Sequence, residues 1–138
     1  MIVLDASVLI AYLDGEDGHH AAAETLLTRA MDDDLGANSL TLAEVLVVPV
    51  RDGRLDSTLA ALRDLEIQEL PFPADAAVRL AQLRATAGLK MPDCCVLLAA
   101  EDAVATVASF DERLVQAAEK RNLPVLRGDV ARRAVGGR

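Results

Sequence analysis

Ile2-Val3-Leu4-Asp5-Ala6-Ser7-Val8-Leu9-Ile10 is the stretch on which the fold turns. Its first three residues form a short apolar run of β type, and the run stops at Asp5. From Ser7 a helical pattern continues to Leu13, where Gly15 and Gly18 break it. A strand, an acid and then a helix is the opening of a β–α unit.

The remainder of the chain repeats that alternation. His20 to Met31 reads as a helix with Leu26 and Leu27 on its apolar face. The acids Asp32, Asp33 and Asp34 at its end oppose the helix dipole, so this end is expected to fray. A short buried strand is expected within Leu35 to Leu40. Thr41 to Val50 reads as a helix that Asp52-Gly53 ends, and Ser57 as the cap of a helix over 58–65. Ile67 to Leu70 is a strand closed by Pro71 and Pro73. Asp75 to Ala87 is a helix with Val78, Leu80, Ala81 and Leu83 on a mixed apolar face and Gly88 as its stop. Pro92 opens a helix to about Asp102. A strand over Val104 to Val107, a helix over Glu112 to Arg121 and a strand over Pro124 to Leu126 complete the pattern. Such alternation predicts an α/β fold, a single domain with a central parallel sheet flanked by helices. Residues 1–126 are assigned to the domain. Residues 127–138, with Arg132 and Arg133, form a basic tail expected to be mobile.

The charge balance narrows the function. Fourteen Lys and Arg stand against 22 Asp and Glu, a formal net charge of −8. Proteins that hold nucleic acid through broad electrostatics are basic, so any such contact here must be local or carried by a metal. Tyr12, Phe72 and Phe110 are the only aromatics, which argues against a stacking platform for single-stranded bases. Cys94 and Cys95 are adjacent, a poor geometry for a disulfide, and they lack the second pair of a zinc site. They read as small core residues. His19 and His20 read as a solvated helix end. No apolar run approaches the ~20 residues of a membrane helix, and the first residues have no secretory pattern, so a cytoplasmic protein is expected.

Four acids remain. Asp5 follows the first strand, Asp111 follows the strand at 104–107 after a turn through Ser109, and Asp93 lies in the first turn of the helix after Pro92. Glu44 interrupts the apolar run from Leu40 to Val48. Each has a capping role open to it: Asp5 and Asp111 as N-caps, Asp93 through the helix dipole, and Thr41-x-x-Glu44 as a capping box. A parallel sheet, however, brings several helix N-termini to one edge, where ligands bind. Carboxylates gathered there repel, each pair by about 3 kcal/mol at ~5 Å and an effective dielectric of ~20 before screening. A divalent cation removes that penalty, and hard oxygen ligands favour Mg²⁺ or Mn²⁺.

These residues carry a resemblance. The opening Ile2-Val3-Leu4-Asp5-Ala6-Ser7-Val8-Leu9-Ile10, then Leu42-Ala43-Glu44-Val45-Leu46, Met91-Pro92-Asp93 and Ser109-Phe110-Asp111-Glu112-Arg113-Leu114 resemble the PIN-domain family. Within it, the chain is similar to the VapC-type toxins of bacterial toxin–antitoxin pairs. The resemblance implies a metal-dependent endoribonuclease with Asp5, Glu44, Asp93 and Asp111 as its acidic quartet. Asp5, Asp93 and Asp111 would hold Mg²⁺ or Mn²⁺, and Glu44 would ligate through water or orient the nucleophile. Ser7 and Ser109 would support them; Ser109 stands where the family often has threonine. Glu112 stands where some members carry a further acid. Metal-activated water would leave a 5′-phosphate and a 3′-hydroxyl. Arg51, Arg54, Arg84 and Lys90 are candidates to touch the RNA backbone.

The resemblance also implies a cognate antitoxin and a homodimer, for which the helices over 58–65 and 75–87 offer apolar surface. The antitoxin would lay a helix in a groove and aim a basic side chain at the acids. Two other readings stay open. A haloacid-dehalogenase-like phosphatase shares the early strand ending in Asp, but wants a second aspartate where this chain has Ser7. A non-catalytic module for a metal or partner would keep the acids and lack activity.

Overall fold

The computed structural model describes residues 1–127; of the tail expected over 127–138, all but Arg127 lies outside the described residues. Twelve elements follow one another: β1 (Ile2–Leu4), α1 (Ala6–Leu13), α2 (His20–Arg29), β2 (Leu35–Asn38), α3 (Ser39–Arg51), α4 (Leu55–Asp64), β3 (Ile67–Leu70), α5 (Ala76–Ala87), α6 (Met91–Ala103), β4 (Thr106–Ser109), α7 (Glu112–Lys120) and β5 (Val125–Arg127). The strands form one sheet in the order β3-β2-β1-β4-β5, and every pairing is parallel. None of the described helices is long and apolar enough to cross a membrane.

Side-chain alternation along the strands divides the core in two. Ile2 and Leu4 of β1 point with Ala108 of β4 into a cluster built with Val8, Leu9, Leu26, Leu27 and Val45, from α1, α2 and α3. Val3 and Val107 point the other way, into a cluster with Leu83, Val96, Leu97 and Leu114, from α5, α6 and α7. β1 is central and buried along its whole length, which is why its three residues carry no polar side chain. Gly36 on β2 is closely approached by the side chains of Leu70 and Met1. A Cβ there would stand 2.8 Å from Leu70 Cδ1 and 3.1 Å from Met1 Sδ.

Several local expectations are corrected. β4 lies two residues later than the apolar run at 104–107 suggested. Val104 takes φ 51°, in the left-handed region, and closes α6, so the strand cannot begin there. Ser109 is consequently the last residue of β4 and not part of a turn. α3 begins at Ser39 with Asn38 as its N-cap; the Asn38 side chain accepts from the Thr41 N–H at 2.9 Å. Thr41 is thus inside the helix, and Thr41-x-x-Glu44 is not a capping box. α4 begins at Leu55, and Ser57 donates its hydroxyl to the Arg54 carbonyl from within the first turn instead of capping it. α5 buries Leu83 but leaves Val78 largely exposed, so only part of its expected apolar face meets the core. Cys94 and Cys95 are unpaired and buried in α6. β5 extends through Arg127, whose guanidinium pairs with Glu112 and Glu119 of α7.

Candidate metal centre

The strand order turns back between β1 and β4: the chain winds outward from β1 through β2 and β3, then returns to β4 and β5 on the other side. Open parallel sheets bind ligands in the crevice at the carboxyl ends of such strands. Asp5 directly follows β1, and Asp111 stands two residues beyond β4. The two expected acids therefore flank the one switch point of this sheet.

Asp5 occupies the N-cap position of α1, yet its side chain makes no capping bond. Its Oδ2 instead accepts two hydroxyls, from Ser7 at 2.7 Å and from Ser109 at 2.7 Å. Both serines are held in turn. Ser7 Oγ accepts from the Phe110 N–H at 3.1 Å, and Ser109 Oγ accepts from the Asp111 N–H at 2.9 Å. Asp5 and Ser109 are buried, at 8% and 1% exposure. The network fixes one carboxylate oxygen and gives Oδ1 no protein hydrogen bond among the described residues. It also ties the end of β4 to the end of β1. Asp111 does cap its helix, accepting from the Arg113 N–H at 3.0 Å.

Asp93 lies in the first turn of α6. Its carboxyl is pushed up to about 6, first by burial and then by the charges of Asp5, Asp111 and Glu44; Lys90 pulls the other way. Glu44, on α3, is also raised, by burial and by Asp5. Residues 5, 44, 93 and 111, distant in sequence, thus feel one another's charge. As the side chains stand, no three His, Cys, Asp or Glu among the described residues converge closely enough to hold a metal ion between them. The acids are near enough to repel and too far apart to close a coordination shell alone. In donor type, carboxylate oxygen, these side chains suit Mg²⁺.

The basic candidates separate. Lys90 is exposed and electrostatically coupled to Asp93. Arg84 is exposed, and its Nη1 donates to the Leu89 carbonyl. Arg54 lies against Asp52 at 3.4 Å. Arg51 closes α3 seven residues beyond Glu44, about 10 Å along the helix. Glu112 is paired with Arg127 of β5.

The two histidines that read as a solvated helix end are engaged by other elements. His20 is not a free helix end: its Nδ1 lies 2.8 Å from the Ala11 carbonyl of α1. His19 stacks on Phe110, between Ser109 and Asp111, with ring centroids 5.1 Å apart. Spacing gave no sign of this, because the partners are ninety-one positions apart in the chain.

The PIN domain profile matches residues 2–120. No curated protein matches the chain. Among solved structures, FitAcB from Neisseria gonorrhoeae is 21% identical with a TM-score of 0.72, covering 93% of this chain and 98% of that one. A toxin–antitoxin complex from Klebsiella pneumoniae is 22% identical with a TM-score of 0.68, covering 80% and 87%. VapC20 from Mycobacterium tuberculosis, a sarcin–ricin-loop-cleaving toxin, is 15% identical with a TM-score of 0.70, covering 85% and 95%. At these identities the likeness is one of fold. With the parallel sheet, the acids at its switch point and a profile match over most of its length, this chain belongs to the PIN-domain family.

Proposed function

We propose that the protein is a Mg²⁺- or Mn²⁺-dependent endoribonuclease and the toxin of a bacterial toxin–antitoxin pair. The observation that carries this reading is the PIN-domain match over residues 2–120 together with Asp5 and Asp111 beyond β1 and β4 at the sheet's switch point; the charges of Asp5, Asp111 and Glu44 add to burial in raising Asp93. A bound divalent cation would supply Lewis acidity at the phosphate and a water of lowered pKa. Asp5, Asp93 and Asp111 are the residues to hold it. Asp5 offers Oδ1, because Ser7 and Ser109 occupy Oδ2. Glu44, with its raised pKa, is suited to accept a proton from the attacking water or to orient it. Lys90 is the basic residue best placed to meet a backbone phosphate beside Asp93.

Cleavage of RNA that requires Mg²⁺ or Mn²⁺, stops in EDTA and leaves 5′-phosphate ends is the expected result. Asp5→Asn, Asp93→Asn and Asp111→Asn should each abolish it with the fold intact. Cleavage unaffected by EDTA, or hydrolysis of simple phosphomonoesters with none of RNA, would refute the reading.

The partner reading follows the same line. A cavity of about 520 Å³ lies between α1, α3 and α4, lined by Ile10, Leu13, Val45 and Val48 and reaching Glu44. Its apolar wall suits one face of an amphipathic helix, and its acidic end suits a basic side chain on that helix. We assign it to the antitoxin. Ile10, Val47, Val48 and Val50 are exposed on α1 and α3, which supports an assembly larger than the monomer. A homodimer is expected by sedimentation at micromolar concentration; monomer alone would count against it.

A further inference from the structure

Phe110 is fixed by the same strand end that sets the acidic centre. It lies between Ser109 and Asp111, and its N–H donates to Ser7 Oγ at 3.1 Å. The His19 ring lies on it with centroids 5.1 Å apart and planes inclined by 25°, an offset stack. The His19 side chain remains 67% exposed. Two bonds hold it in that place. The His19 N–H donates to Asp17 Oδ1 at 2.8 Å, and the neighbouring His20 ring is anchored to the Ala11 carbonyl at 2.8 Å. An imidazole so exposed buries little apolar area, so covering Phe110 does not account for an aromatic ring at position 19. An aliphatic side chain would cover it as well.

Resting on the ribonuclease reading, we propose that the His19–Phe110 pair is a stacking ledge for the nucleobase next to the scissile phosphate. A base and its phosphate are separated by one sugar, and the ledge begins one residue from Asp111. Every base has a π face, so such a ledge adds affinity without demanding one sequence. It also answers the scarcity of aromatics in the chain. A single pair suffices when its place is fixed at the end of β4, next to Asp111.

The test uses an RNA whose cleavage position has first been mapped with the wild-type protein. That RNA is then resynthesised with 2-aminopurine on either side of the position and bound with Ca²⁺ in place of Mg²⁺. Stacking is expected to quench the fluorescence at one of the two positions. His19→Ala should remove the quench and raise KM about ten-fold more than it lowers kcat. His19→Phe should restore both, which a role in merely fastening the loop through imidazole hydrogen bonds would not. A quench that survives in His19→Ala, a cleaving wild type with no quench at either position, or a failed rescue by His19→Phe would each overturn the ledge. Failure of the underlying reading is separate and is seen first, as a wild-type protein that cleaves neither RNA nor bis(p-nitrophenyl) phosphate with Mn²⁺.

Discussion

Asp93 is the residue whose environment makes the clearest demand. Its carboxyl titrates near 6 in the folded protein against an ordinary value of 3.8. A raised acid costs stability wherever it must ionise. The cost is fully present above about pH 6, shrinks as pH falls through the folded value, and is gone below the unfolded one near 4. Allowing for solvent screening, it is on the order of 1–2 kcal/mol at pH 7. The opposing loss of dipole stabilisation at the start of α6 is about 0.3–1 kcal/mol. Asp93→Asn should therefore raise the melting temperature at pH 7 in metal-free buffer, with the gain vanishing towards pH 4. A lower melting temperature at pH 7 would mean that Asp93 serves its helix first. Ser109 makes a second prediction at this scale. Its hydroxyl joins Asp5 Oδ2 to the Asp111 N–H, so Ser109→Ala should lower metal affinity and cleavage by about 10–100-fold. Isothermal titration with Mn²⁺ and a cleavage assay would check it.

Among the elements, α6 is the most constrained. It buries Cys94, Cys95, Val96, Leu97, Leu98 and Ala100, so the Asp93 carboxylate sits on a helix that cannot shift without opening the core. Its end is less well made. Val104 holds φ 51° while 90% exposed, a left-handed conformation that β-branched residues resist. Val104→Asn keeps the turn and relieves the side chain, and should stabilise the protein by about 1 kcal/mol in chemical denaturation. An unchanged midpoint would show the strain to be absorbed elsewhere. At the start of α3, Asn38 is almost wholly buried and its Oδ1 caps the helix that carries Glu44, while Nδ2 has no partner among the described residues. Asn38→Ala should cost about 1 kcal/mol through the lost cap.

For the whole molecule, the proposed function sets an expectation of stabilisation by a divalent cation. Mg²⁺ or Mn²⁺ at a hundred times its dissociation constant should stabilise the native state by about 2.7 kcal/mol, read as a rise in melting temperature. The rise should be smaller at pH 5 than at pH 7, because protons compete at Asp93, and smaller in Asp93→Asn. Equal rises in both proteins at both pH values would move the cation elsewhere. The succession of strands and helices, the parallel sheet and the place of Asp5 just beyond a strand were legible in the sequence, because they follow from local alternation and from where apolar runs stop. Element starts were less so. The shift of β4 and the true cap of α3 depend on backbone conformation at Val104 and Asn38, which composition does not display. What only the tertiary structure decided is proximity: the two serines on one oxygen of Asp5, the mutual repulsion that lifts Asp93, and the seat of His19 on Phe110. Each of these joins residues far apart in the chain, and such contacts are made by the sheet's winding, which local sequence patterns specify only in sum.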